Sequence, residues 1–151
     1  MRIRAIIGTG VAGVLVAVGA VLIPLTASAQ PAASAAKVHT LTFTSVSNKS
    51  ITFSKNAGGG SDVDVNAKGK AVGEDVVYFS FNPKTNVGDV SAAVTISGGI
   101  LLVTGTTANG LTFKGTVAGG TGAFKHAKGT WTGKNLNKTG TKTLITVKYT
   151  T

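Results

Sequence analysis

The chain has 151 residues, no cysteine, 15 Lys and Arg against five Asp and Glu, and a formal net charge of +10. Without cysteine it has neither a disulfide framework nor a thiolate metal site. Its two histidines, His39 and His126, have no acid at a ligand spacing and no G-x-S-x-G elbow accompanies them, so the sequence supports neither a zinc centre nor a hydrolase triad.

Met1-Arg2-Ile3-Arg4 is a short positive region, followed by an apolar run from Ala5 to Leu25 and by the small residues Ala27-Ser28-Ala29. This is the layout of a secretory signal peptide, with cleavage expected near Ala29–Gln30 and Ala33-Ser34-Ala35 as a second site. The competing reading is an uncleaved anchor, because the apolar run approaches the ~20 residues of a spanning helix. The small-residue tail from Pro31 to Ala36 has no purpose in an anchor, which favours cleavage. The expected organisation is a signal peptide over 1–29, a short flexible linker over 30–37 and one domain over 38–151, in a secreted protein. Both arginines, Arg2 and Arg4, lie in the signal, so lysine carries the remaining positive charge. Lysine without arginine suits solvated, non-specific attraction better than bidentate phosphate recognition.

From Lys37 onward short runs rich in Thr, Val, Ile and Phe alternate with glycine or asparagine turns, which predicts an all-β domain. The expected strands cover Lys37 to Val46, Ser50 to Lys55, Asp75 to Asn82, Asp89 to Ser97, Ile100 to Thr106, Leu111 to Val117, Ala123 to Lys128, Thr130 to Lys134 and Thr143 to Tyr149. Strict alternation places Leu111, Phe113 and Val117 on one face and Thr112, Lys114 and Thr116 on the other; Ile145, Val147 and Tyr149 likewise oppose Thr146 and Lys148. Gly98-Gly99 and Asn109-Gly110 read as two-residue hairpin turns with positive φ at both positions. Asn82 to Asn86 and Asn137 to Gly140 read as longer turns. Ala57 to Lys70, with Gly58-Gly59-Gly60 and Asp62-Val63-Asp64, reads as a mobile surface loop. Val76 to Phe81 is apolar or aromatic on both faces, so this strand is expected to be covered on both sides, by the barrel interior and by a neighbouring subunit. A closed antiparallel barrel and a β-sandwich both satisfy the pattern; closure removes the exposed edges.

The stretch VAGGTGAFKHAKGTW, Val117 to Trp131, has three competing readings. A phosphate loop needs its glycines between a strand and a helix N-terminus, whereas here they lie between strands and no Walker lysine follows. A tight corner fits better: Gly119, Gly120 and Gly122 let the backbone turn and pack closely, so a β-branched side chain at Gly120 is expected to destabilise it. The third reading, a basic patch, belongs with the lysines below.

Gly119-Gly120-Thr121-Gly122, with Phe124, Ala127 and Gly129 after it, resembles the GGTG-x-F-x-x-A-x-G signature of the dirigent and allene oxide cyclase barrel superfamily. Val72-Gly73-Glu74-Asp75 before Val76 to Phe81, and Val87-Gly88-Asp89, are similar to that family's strand openings. The resemblance spans roughly residues 38 to 150, and only the glycine stretch is specific. It implies an eight-stranded antiparallel β-barrel in a secreted bacterial member. It also implies a homo-oligomer, trimer or dimer, and a cavity that binds a hydrophobic small molecule without a cofactor. Activities in the superfamily range from cofactor-independent cyclisation or isomerisation, through non-enzymatic guidance of radical coupling, to none.

No catalytic set can be read from the residues. The candidate acids are Glu74, Asp75 and Asp89, because an acid in an apolar cavity has a raised pKa and handles protons near neutrality; the reading favoured for each is a solvated turn position, since all three abut a glycine or a strand start. Candidate pocket-lining rings are Tyr78, Phe79, Phe81, Phe113, Phe124, Trp131 and Tyr149, which line a hollow barrel or fill a solid one. No metal or cofactor is expected. A second reading has the lysines of the last third, Lys114, Lys125, Lys128, Lys134, Lys138, Lys142 and Lys148, binding an anionic cell-surface polymer, or simply keeping strand edges soluble. Specific nucleic-acid binding is not expected, since the aromatics fall mostly on the face opposite the lysines.

Overall fold

In the computed structural model, residues 36–151 are described, and they form eight strands: β1 His39–Ser54, β2 Ala57–Val65, β3 Ala71–Asn82, β4 Val87–Ile96, β5 Gly99–Ala108, β6 Thr112–Gly120, β7 Lys128–Asn135 and β8 Lys142–Thr150. Each strand pairs antiparallel with the next, and β8 returns to β1 in the register Leu41 to Val147 and Phe43 to Ile145, closing the barrel. The barrel, rather than the sandwich, is therefore the architecture. The signal-peptide and most of the linker expectations lie outside the described residues. No helix among the described residues is long and apolar enough to cross a membrane.

Closure follows from side-chain alternation. Phe43, Val94, Leu101, Val103, Val117, Trp131 and Val147 all point inward and are buried, while the residues between them face out. The two predicted hairpin turns are present, with positive φ at Gly98, Gly99, Asn109 and Gly110. Phe113 and Val117 point inward as expected, whereas Leu111 lies exposed in the β5–β6 turn.

The two ends of the barrel differ. At one end, the corner predicted from the glycines closes the bottom. Gly119 and Gly122 adopt positive φ, and the chain makes a 3₁₀ turn over Gly122–Phe124 before β7. Thr121 N donates to the Ile100 carbonyl at 2.8 Å, its hydroxyl accepts from Ile100 N at 3.1 Å, and Ala123 N donates to the Gly98 carbonyl at 2.8 Å. The corner is thus bonded onto the Gly98-Gly99 hairpin. Gly120 is required for space: a Cβ there would collide with the Ile100 carbonyl. Phe124 and Ala127 are almost fully buried, and the Phe124 ring meets Tyr149 edge-on at 5.5 Å. The other end, where the β1–β2, β3–β4, β5–β6 and β7–β8 turns gather, is open.

Three sequence expectations are corrected, and a fourth is met on one face. Ala57 to Lys70 is not a loop: its first nine residues are β2, paired on both sides. Its glycines make room for rings, since a Cβ at Gly58 would meet the Phe79 ring and one at Gly59 the Phe53 ring. The runs Lys37 to Val46 and Ser50 to Lys55 form a single 16-residue strand, β1, with a bulge between Ser47 and Lys49. Ala123 to Lys128 is the 3₁₀ turn and its exit rather than a strand. The Val76 to Phe81 strand is covered on its inner face by the barrel interior, and its outer face, with Val76 64% and Tyr78 48% exposed, is the face expected to meet a neighbouring subunit.

Candidate functional site

The open end leads inward through a vestibule of about 530 Å³ to a cavity of about 100 Å³ between the strands. Asp62, Val77, Val90, Phe113 and Thr143 line both, so the two are continuous. The inner cavity is walled by Phe43, Val77, Val90, Ala92, Val94, Val103, Phe113, Trp131, Ile145 and Val147, with Ser45, Asp62, Asp75 and Thr143 as its polar members. The barrel is therefore hollow in its middle and filled at the closed end. An apolar chamber with a few convergent polar groups is what small-molecule sites have in common.

Trp131 shapes one wall. Its ring lies over β6 and β5, where glycine makes contact feasible: a Cβ at Gly105 or Gly115 would strike the indole. The indole N–H donates to the Thr104 carbonyl at 2.9 Å, and the ring stacks on Phe113 with centroids 6.5 Å apart. The buried donor is satisfied and the ring held in place.

The opposite wall carries the acids. In β2 the alternation Asp62-Val63-Asp64-Val65 turns both carboxylates inward, and the register sets Asp62 beside Asp75 of β3 and Asp64 beside Ser45 of β1. Asp64 is completely buried and Asp75 is 7% exposed. The Ser45 hydroxyl lies 2.7 Å from Asp62 Oδ2 and 3.1 Å from Asp75 Oδ2, but with one proton it donates to only one at a time. Both Asp64 oxygens and Asp75 Oδ1 have no donor.

Like charges packed together out of water cannot all stay ionised. Burial, then the charge of Asp75, push the Asp64 carboxyl up to about 8. Burial, then the charge of Asp62, push Asp75 up to about 6, while the Ser45 hydroxyl and Asp64 pull it back. The opposite effects are those of a proton held on the Asp64 side of the pair, so Asp64 is the neutral member and Asp75 the more acidic one. Neutrality lowers the cost of burying Asp64 oxygens that have no donor, since an uncharged carboxyl loses less on leaving water than a carboxylate.

Of the acids singled out from sequence, only Asp75 lines the inner cavity; Glu74 faces out beside it, and Asp89, an exposed residue of β4, is among the residues around the vestibule. Among the rings, Phe113 and Trp131 line the cavity, and Phe79 and Phe81 line the vestibule. Tyr78 is on the outer wall, stacked on Phe53 at 6.0 Å, and Phe124 and Tyr149 fill the closed end. Asp62, Asp64 and Ser45 were not singled out, although the period-two Asp-Val-Asp-Val carried the signal. Gly119, Gly120, Thr121, Gly122, Phe124, Ala127 and Gly129 build the closed end away from the cavity. His126 is exposed, and His39 stacks on Tyr149 at 5.2 Å. Among the described residues no three His, Cys, Asp or Glu side chains are placed to hold a metal ion.

No protein-family model matches the chain, and no curated protein matches it in sequence. Solved structures do. A pyocyanin demethylase superposes with a TM-score of 0.62 at 21% identity, covering 74% of this chain and all of that one. An exo-specific intermolecular Diels–Alderase gives 0.61 at 9% identity, covering 75% of this chain and 98% of that one. A nonspecific heme-binding cyclase of neoabyssomicin biosynthesis gives 0.60 at 8% identity, covering 78% of this chain and 65% of that one. At these identities the likeness shows a shared barrel fold.

Proposed function

We propose that the chain is an exported barrel that binds an apolar small molecule in its chamber without a cofactor, and that its buried carboxylates exchange a proton with that molecule. The observation that carries this reading is the position of Asp75: it faces an apolar cavity that opens to solvent, with a neutral acid behind it and an unpartnered oxygen. Asp75 can accept a proton from a bound molecule or return one, and the neighbouring Asp64 carboxyl can take up or resupply that proton. An acid held near neutrality suits such exchange. Proton transfer of this kind serves isomerisation and ring closure, where nothing is consumed besides the substrate. Two of the barrel neighbours, the Diels–Alderase and the heme-binding cyclase, are named for ring closure, which supports a chamber that orients an apolar substrate. The N-terminal signal pattern supports export.

The test is native mass spectrometry of protein purified from its own culture medium, followed by mild release of anything bound. The reading expects an apolar compound of low mass, retained by the wild type and lost in Ala92→Phe, where a ring fills the chamber. Protein that is empty under all conditions, and that protects no added apolar compound, would remove it.

A second reading has its own observation. After Asp89 the chain contains seven lysines and no acid, and Lys114, Lys134, Lys142 and Lys148 alternate outward on β6, β7 and β8. This wall, with no counter-charge of its own, suits an anionic cell-surface polymer, and retention on an anionic resin that collapses with salt is its test. The apolar outer patch of Ile51, Phe53, Val76 and Tyr78 belongs to the same picture, as the contact surface of a homo-oligomer.

A further inference from the structure

Charge inside this barrel is one-sided. Three of the five acids of the chain, Asp62, Asp64 and Asp75, point inward, and no lysine, arginine or histidine lines the inner cavity. Lys49, in the vestibule, is the one basic side chain lining either space. Buried carboxylates are ordinarily paired with a cation or with several donors, because an unpaired charge in an apolar setting costs several kcal/mol. One shared proton and one serine hydroxyl leave the cluster short of both. Asp75 lines the cavity, and its Oδ1 is buried and has no donor at all. The missing partner therefore has to come through the vestibule.

We propose that the natural ligand is a compact organic cation with an apolar body, its protonated nitrogen donating to Asp75 and its carbon skeleton lying between Phe43, Phe113 and Trp131. This rests on the chamber being a binding site, as argued above, and names the ligand class. The aromatic walls suit the same ligand, since ring faces attract cations and Phe113 and Trp131 form a stacked pair beside the cavity. A metal ion fits worse, because the carboxylates are not placed as a coordinating set. An anion would meet only like charge.

The groups facing Asp75 set the pH dependence. They are Ser45 from β1, Asp62 and Asp64 from β2, apolar Val94 opposite it on β4, and Thr143 across the cavity from β8. None supplies a positive charge. Lowering the pH through about 6 protonates Asp75 and removes the charge that attracts the ligand, so affinity for a cation falls toward acid.

Benzylamine and benzyl alcohol serve as a probe pair of nearly equal shape, one cationic and one neutral across pH 5 to 8. Trp131 is the single tryptophan of the chain and lines the cavity, so its fluorescence reports entry. At pH 8 the amine is expected to bind at least about tenfold more tightly than the alcohol. The preference should shrink severalfold at pH 5 and disappear in Asp75→Asn, which keeps its affinity for the alcohol. Asp62→Asn provides a second, less buried site for the same comparison should Asp75→Asn fail to fold by circular dichroism, and it should also weaken the preference. Equal binding of both probes at pH 8 would overturn the cation assignment and leave the chamber reading standing. Binding of neither, at any pH, would overturn both.

Discussion

The closed end and the chamber are built from the same strands but obey opposite rules. At the closed end Leu101, Phe124 and Ala127 are essentially without solvent, and every turn amide named above has an acceptor. In the chamber, the side chains lining the cavity leave space unfilled and carboxylate oxygens unpartnered. Packing this good at one end stabilises the fold by the usual transfer of apolar surface, of the order of 2 kcal/mol for each large side chain. The chamber gives some of that back, because unfilled space forfeits packing and unpartnered buried oxygens forfeit hydration.

Substitutions sharpen the contrast. Phe124→Ala should be the most damaging, removing the ring that seals the bottom and costing ~3–5 kcal/mol in denaturant unfolding. Gly120→Val follows at ~3 kcal/mol, from collision with the Ile100 carbonyl and not from backbone conformation, since Gly120 is not among the positive-φ residues. Gly120→Ala should therefore already be harmful; a neutral effect would break the close-packing account.

The chamber should respond with the opposite sign. Asp64 and Asp75 hold protons in the folded state at pH values where the unfolded chain has released them, their folded pKa values lying above the ordinary 3.8. Stability should then fall as pH rises from about 4 to about 8, and melting temperatures across that range measure it. Asp64→Asn, which keeps a donor toward Asp75 and cannot ionise, should raise stability by ~2 kcal/mol at pH 8 and flatten the pH slope. Stability that climbs with pH in this window, unchanged by the substitution, would contradict the buried-acid account. The smallest stability effect belongs to the outer wall: Tyr78→Ser should change it by under ~0.5 kcal/mol while lowering the native mass if the patch joins subunits.

The contrast also explains what the sequence revealed. The closed end was legible because its demands are local: glycine is needed where φ is positive or a carbonyl approaches, and Gly119, Gly120 and Gly122 declare this in four consecutive positions. The hairpin turns and the inward row Ile145, Val147 and Tyr149 were legible for the same reason. β2 was hidden because Gly58-Gly59-Gly60 has low strand propensity, and the rings that make it a strand, Phe53 and Phe79, come from its neighbours. With β2 read as a loop, Asp62 and Asp64 lost their direction, and the acid cluster could not be seen. Asp75 was noticed only as one acid among three. Its neighbours depend on register between strands, which alternation within a single strand does not determine.

The most direct test of the account is a carbon-13 NMR titration of the aspartate side chains in the folded protein. The account predicts that Asp64 and Asp75 titrate as a coupled pair and together keep at least one proton above pH 6.5, and that adding benzylamine at pH 8 shifts the Asp75 carboxyl resonance. Release of every aspartate proton by pH 5, with no response to the amine, would mean that water fills the chamber and that its carboxylates are ordinary surface acids turned inward.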